Sequence, residues 1–552
     1  MSRFVFVLLF AGFSVVLQAQ VLHQPKPFTH QDTLRGSLNA ERTWWDVQRY
    51  DITVTPDYAG KTIEATCIIT FKVVAASGVM QVDLQSPLEI TSAKLGKKSL
   101  SHTREGNVFH VKMPKLQVGD IKELQITYHG KPKEAIRPPW DGGWIWKKDA
   151  EGNPWMSVAC QGLGASVWYP CKDYQGDEPD LGASLTMVVP DSLVAVGNGR
   201  LKSKKSISSG KTAWTWEVVN PINNYNIIPY IGKYVNFTTT YKGLKGDLDC
   251  SYWVLAYNLE KAKKQFEQAT RMLSCFEAWF GPYPFYEDGY KLVESPHLGM
   301  EHQSAVGYGN GYQNGYLGRD LSHTGWGLKW DFIIVHESGH EWFGNNITTN
   351  DVADMWVHEG FTNYSETLFT ECQFGKEAGS DYVIGTRKNI SNDKPIIGPY
   401  GVNMEGSGDM YYKGGNMLHT IRQVINNDSL FRSILQGLNK TFYHQTVTSA
   451  MVEQYISQRA GFDFSKVFDQ YLRNTQIPVL EYLVKDGKLK YRWTNCVNGF
   501  NLPVKSPDVA GSWLRPTTQW QELATEKKDG EGIGIDRNFY VQGRNSAAGN
   551  GG

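Results

Sequence analysis

The chain carries no surplus of either charge: 56 Lys and Arg stand against 56 Asp and Glu in 552 residues. That balance excludes the global field that draws a protein to nucleic acid or to an anionic membrane. Seven cysteines are scattered without a CxxC pair or a dense framework, so they do not organise the fold. Their odd number leaves at least one thiol unpaired. Cys160 and Cys171 are close enough in sequence to pair, although spacing alone does not show it. Beyond the first twenty residues no stretch approaches eighteen unbroken apolar residues, which argues against a helical membrane span there. No internal repeat is found.

What is present begins with those twenty residues, "MSRFVFVLLFAGFSVVLQAQ". One early Arg, a short apolar run and a small-residue exit read as a secretory signal peptide cleaved near Ala19 or Gln20. The expected destination is outside the cytoplasm: a periplasm, a surface or the medium. A chain of this length exceeds one core and predicts about three or four domains. Hydrophobic residues at 41% and charged residues at 20% are ordinary for a folded chain. The 18 Trp and 28 Tyr point to aromatic-rich cores and clefts.

The texture changes twice along the chain. Segments such as "YDITVTP", "EATCIITFKVV" and "AWTWEVV" alternate or run apolar and β-branched, giving an all-β domain over 21–245. From about 258, "LEKAKKQFEQATRMLSCFEAWFG" has helical spacing and stops at Gly, and helical signals persist through a domain over 246–475. Short strands return after Pro478 for a small β-sandwich-like domain over 476–541. The polar, Gly-rich stretch 542–552 is expected to be a flexible tail. The fold class is therefore multidomain α+β.

The chemistry concentrates in "VHESGHEWFGNN" and "WVHEGFTNYSE". On a helix, His336 and His340 lie one turn apart on one face and can aim two ring nitrogens at a single ion. Glu337 is offset by one residue, badly placed to join that sphere but well placed beside a water. This is the HExxH pattern: two neutral imidazoles bind zinc and the Glu serves as general base. A catalytic zinc takes a third protein ligand and keeps a position open. Eighteen residues separate His340 from Glu359, which lies on a second expected helix with Glu366 two turns later on the same face as a supporting partner. Geometry alone does not decide whether His358 or Glu359 faces the metal.

HExxH, eighteen residues, then Glu-Gly-Phe resembles the gluzincins of the aminopeptidase N and leukotriene hydrolase family, in a short form without their long C-terminal helical domain. The likeness extends through "HEWFGN" and "DMWVHEGF" and covers about residues 45–540. It implies a thermolysin-like catalytic domain and one zinc per chain, held by His336, His340 and Glu359, with His358 a bystander where the family has Asn. "HLGMEHQS" resembles the family's Gly-x-Met-Glu-Asn segment. That implies substrate binding by Gly299 and Met300 and a grip on the free α-ammonium by Glu301. "MYYKGGNML" resembles a Tyr-Glu-Lys-Gly segment and makes Tyr411 the implied oxyanion donor. "ACQGLGASVWYPCKD" matches a stretch whose Gln, here Gln161, borders the substrate amine.

Leu298, His302 and Tyr412 depart from the family pattern, which puts the pocket for the first side chain in doubt. His297 and His302 are read as pocket wall, and the Asn-x-Ser/Thr sites at Asn346 and Asn363 as unglycosylated. The resemblance implies a zinc aminopeptidase acting on peptides with a free N-terminus. The alternatives carried beside it are an epoxide or ester hydrolase on the same site and a catalytically silent peptide-binding protein.

Overall fold

The computed structural model of the chain describes residues 28–207 and 210–547. The expected signal peptide lies outside them. Among the described residues no helix is long and apolar enough to cross a membrane.

The N-terminal region is built on an eight-stranded sheet whose central strands, Trp45–Asp57 and Thr62–Val73, pair antiparallel. Alternate residues along both are buried, as the period-2 pattern requires. A smaller four-stranded sheet follows the order Val194–Val196, Tyr230–Gly232, Pro154–Ala159, Gly143–Lys148. Its Pro154–Ala159 strand delivers the chain directly to Gln161.

The boundary expected between 245 and 246 falls inside a hairpin. Tyr234–Gly243 pairs residue for residue with Gly246–Leu255, and the latter pairs parallel with Tyr290–Glu294. One hydrogen-bond ladder therefore assigns both strands to the helical region that follows, whose five-stranded sheet ends at the edge strand Gly299–Met300. The β texture of 234–255 is real, but it belongs to a different sheet from the one its sequence neighbours form.

Helices pack behind that sheet. Phe332–Gly339 is capped by Asp331, whose carboxylate accepts from Ile333 N at 3.1 Å and Ile334 N at 3.4 Å. It is shorter than the apolar spacing through Asn345 suggests, because His340 forms the C-cap and the chain turns at Gly344 (φ 132°). His340 keeps right-handed backbone angles, so its one-turn relation to His336 survives. The Trp356–Phe374 helix crosses Tyr412–Ile425 where Gly360 faces Gly414. A Cβ on Gly414 would stand 3.0 Å from Gly360 Cα. This close crossing, next to Glu359 on one helix and Tyr411 on the other, is possible because both residues lack a side chain.

Cys275 and Cys372 form a disulfide that ties Glu267–Phe280 to Trp356–Phe374. Cys160 and Cys171 are buried and free, as are Cys67 and Cys250. The C-terminal strands form a four-stranded sheet, but their apolar residues, among them Leu480 and Trp493, join the helical region's own core. The stretch expected to be a tail from 542 is corrected in part: Gln542–Asn545 pairs parallel with Val479–Tyr482, and Ser546 Oγ donates to Glu481 at 3.0 Å. Its polar composition suits an edge strand whose side chains stay exposed. Residues 548–552 lie outside the described residues.

Candidate active site

A cavity of about 590 Å³ opens between the N-terminal and helical regions. One wall is the pair of helices carrying the two His-Glu pairs. His336 Nδ1 lies 2.7 Å from Glu366 Oε1, and His340 Nδ1 lies 3.0 Å from Phe343 O. Each bond places the ring proton on Nδ1 and leaves Nε2 as a lone pair. Both Nε2 atoms face Glu359 Oε2, at 3.7 Å from His336 and 3.4 Å from His340. Glu359 Oε2 is buried and, among the described residues, finds no hydrogen-bond partner. Burying a carboxylate oxygen without a partner is expensive. Two imidazole nitrogens and this oxygen, all within 4.8 Å of one another, form a donor set that suits a zinc ion.

Glu366 has two further partners: Asn363 Nδ2 donates to its Oε1 at 3.1 Å and Tyr382 OH to its Oε2 at 2.6 Å. It is fixed on three sides and in turn fixes the His336 ring. His358, one residue from Glu359, turns away. Its Nε2 accepts from Thr349 N at 2.9 Å, and burial pushes its pKa down to about 3, so it is neutral. Of the two, Glu359 faces the imidazoles and His358 does not.

Glu337 lines the cavity beside this set, and a Cβ on Gly299 would stand 2.6 Å from its Oε1. Glycine at 299 therefore makes room for the carboxylate against the edge strand. Tyr411 stacks on His336 with ring centroids 6.0 Å apart. Burial, followed by the charges of Glu359, Glu405 and Glu301, holds its phenol well above the usual range, so it is a hydrogen-bond donor.

The opposite wall is assembled from loops and the edge strand. Met300 and Glu301 follow Gly299 into the cavity. Glu301 is buried; Tyr225 OH donates to its Oε1 at 3.3 Å, and its backbone carbonyl accepts from Asn345 Nδ2 at 2.9 Å. Gln161 reaches the same space from the smaller β sheet, with its buried Nε2 unpaired. Leu298 and Tyr412 line the cavity, so those two departures bear directly on its shape. His297 and His302 do not. They pack behind the strand, where His302 Nδ1 meets Tyr230 OH at 2.5 Å, so reading them as pocket wall is corrected. Asn346 and Asn363 are buried, in keeping with the absence of glycans expected there.

Among the residues that escaped the sequence reading are Trp140 and Glu405, which line the cavity, and Tyr225, which does not line it but bonds to Glu301. Tyr225, which holds Glu301, sits in "NNYN" with no periodic signal. Trp140 lies in a Pro-Pro turn that reads only as a loop. Glu405 stands six residues before Tyr411, and that spacing is the one hint available.

A helix bearing two histidines one turn apart, a carboxylate from a second helix and an adjoining free carboxylate form a group that could hold a metal ion beside an acid–base residue. The sequence profile of the Peptidase family M1 domain matches residues 264–471, so the helical region carries that domain and the resemblance is borne out. Human endoplasmic reticulum aminopeptidase 1 is 21% identical over 432 residues, 76% of this chain and 44% of that protein. Probable aminopeptidase 2 of Sulfurisphaera tokodaii is 20% identical over 494 residues, 84% of this chain and 60% of its own. The chain thus spans about half the length of the curated relatives it matches. A mutant M1 zinc metallopeptidase from Deinococcus radiodurans, solved with a Tyr-Ser-Ala substrate, superposes with a TM-score of 0.68 at 20% identity. The match covers 81% of this chain and 99% of that one, and shows a shared fold.

Proposed function

We propose that this protein is a zinc aminopeptidase that removes the first residue from peptides with a free N-terminus. The observation that carries the reading is Glu359 Oε2, buried, unpartnered and faced by two imidazole lone pairs, within one cavity shared by Glu337, Tyr411 and Glu301.

Zinc held by His336, His340 and Glu359 would supply Lewis acidity, easing ionisation of a water and polarising the scissile carbonyl. Glu337 takes the proton of the attacking water and passes it to the departing amine. Tyr411, protonated and beside His336, donates to the oxyanion as it forms, a contribution typically about 3 kcal/mol. Glu301 pairs with the substrate's α-ammonium while Tyr225 fixes its carboxylate, and Gln161 lines the same cavity. An acylated N-terminus would leave Glu301 buried and unpaired, which is what restricts cleavage to the first residue. The carboxylates lining the cavity disfavour the lipid-like substrate that an epoxide hydrolase would need.

Export remains part of the proposal, supported by the Cys275–Cys372 disulfide, which suits an oxidising compartment.

The test is hydrolysis of free aminoacyl anilides against their N-acetylated counterparts, with and without a zinc chelator. Cleavage confined to the free amines, lost on chelation and restored by zinc, is expected. Equal cleavage of acetylated substrates would remove Glu301 from its role, and stoichiometric zinc without any cleavage would favour a silent binder.

A further inference from the structure

The cavity wall holds five carboxylates, Glu301, Glu337, Glu359, Glu366 and Glu405, and among the described residues no Lys or Arg lines it. Four of them have work assigned. Glu359 faces the two imidazoles, Glu366 anchors His336, Glu337 adjoins them as the acid–base group, and Glu301 is held by Tyr225 for an α-ammonium. Glu405 has none. Among the described residues it makes no hydrogen bond or ion pair, and it is open to solvent through the cavity. The cations nearest in its field are Lys394 and Arg35, and neither lines the cavity. Arg35 is already committed, pairing with Asp173 at 3.2 Å and donating to Gly162 O at 3.1 Å.

Although the residue is exposed, desolvation by the surrounding wall and then the negative charges of Glu359 and Glu301 raise the Glu405 carboxyl above its usual range. An unpaired anion among like charges gains most from a ligand that brings its own positive charge. The rest of the wall suits the stem of that ligand. Met300, Leu298, Tyr316 and Phe332 line the same space, and an aliphatic stem packs on such surface while its charged end reaches a polar partner. A lysine or arginine side chain has this build: three or four methylenes ending in a cation. A norleucine side chain has the stem without the charge.

Resting on the aminopeptidase reading, we infer that Glu405 is a specificity-determining residue that selects peptides whose first residue is Lys or Arg. Glu405 contacts the side chain of that residue, while Glu301 keeps the α-ammonium common to all substrates. The two carboxylates thus divide recognition between what every substrate shares and what distinguishes one from another.

The test compares kcat/KM for arginyl and norleucyl anilides in wild type, Glu405→Gln and Glu405→Asp, with zinc content and thermal unfolding measured on each preparation. Wild type should prefer the arginyl substrate. Glu405→Gln should reduce the arginyl-to-norleucyl ratio by about 10- to 100-fold, the range of a charge-assisted hydrogen bond. Glu405→Asp, which keeps the charge, should retain most of the preference. A ratio that stays within about twofold in a folded, zinc-replete Glu405→Gln overturns the inference, whether both substrates fall together or neither does. That result leaves the aminopeptidase reading standing, because wild type still hydrolyses both. A wild type that hydrolyses neither overturns the aminopeptidase reading and this one with it.

Discussion

The two walls of the cavity are made differently. The wall proposed to hold the metal is two helices: the Nδ1 atom of each imidazole is bonded to a neighbour, and Glu366, itself held from three sides, stands behind His336. The substrate wall comes from an edge strand, a turn after Pro154–Ala159 and the loop before Tyr411, and it retains unpaired groups at Gln161 and Glu405. Side chains locked by packing and by supporting hydrogen bonds are what reaction geometry demands. Loops that carry unspent polar groups are where selectivity can change without disturbing that geometry. The difference predicts that metal-wall substitutions damage all substrates alike, while substrate-wall substitutions sort them.

The largest expected effect tests the first half of that statement. Glu337→Gln keeps the shape of the side chain but cannot take a proton. Turnover should fall by about 10²- to 10⁴-fold for every anilide, with zinc content unchanged. A variant retaining a tenth of wild-type turnover would remove Glu337 as the base. Tyr411→Phe should follow, with kcat falling about 10²- to 10³-fold and KM little changed, since its hydroxyl acts on the oxyanion and not on the bound substrate. If KM rises instead while kcat holds, Tyr411 belongs to the substrate wall and the division between walls is misdrawn. Smaller again is Glu366→Gln, which loosens the His336 ring without touching the ion. Zinc affinity, measured by competition with a chelator, should weaken by roughly tenfold, and unchanged affinity would mean the helices alone fix the ring.

The same contrast explains how much the amino-acid sequence reveals. His336 and His340 obey helical spacing on one helix and Glu359 and Glu366 on another, so each pair's shared face is legible from residue numbers, while the preference for Glu359 over His358 comes only from the resemblance. The general alternation of strands and helices is legible for the same reason. The hairpin Tyr234–Leu255 is recognisable as strand, but its membership in the catalytic sheet is set by pairing with Tyr290–Glu294, and local pattern carries no such information. The end of the Phe332–Gly339 helix is hidden because apolar spacing continues past it while the backbone turns. Cys275 and Cys372 are 97 residues apart, and only tertiary packing brings them together. Glu301 and Gln161 are found through family resemblance, since neither lies in a periodic segment. Tyr225, Trp140 and Glu405 are invisible because irregular backbone gives a side chain no face that sequence can count.

The seam between the walls offers the smallest effect and a pH dependence of defined sign. Glu178, from the N-terminal region, is buried against the strand Ile347–Thr349 that follows the helix carrying His336, and accepts a hydrogen bond from Thr348 Oγ1 at 2.6 Å. Burial pushes its pKa from 4.5 to about 8, and the Thr348 bond only partly offsets this. The folded chain therefore binds the Glu178 proton more tightly than the unfolded chain does. Its contribution to stability is complete below about pH 4.5 and is lost as pH rises towards 8, by up to about 1.4 kcal/mol per unit. Relaxation around the anion should hold the total to the order of 1–2 kcal/mol. Glu178→Gln keeps an acceptor for Thr348 and carries no charge at any pH. Thermal unfolding from pH 5 to 9 should then show the variant gaining on wild type up to about pH 8, with the gap constant above. A gap that does not change with pH would mean that Glu178 is solvated in the folded chain. The seam would then be looser than the buried Glu178–Thr348 bond describes, and the substrate wall could move against the metal wall as a unit.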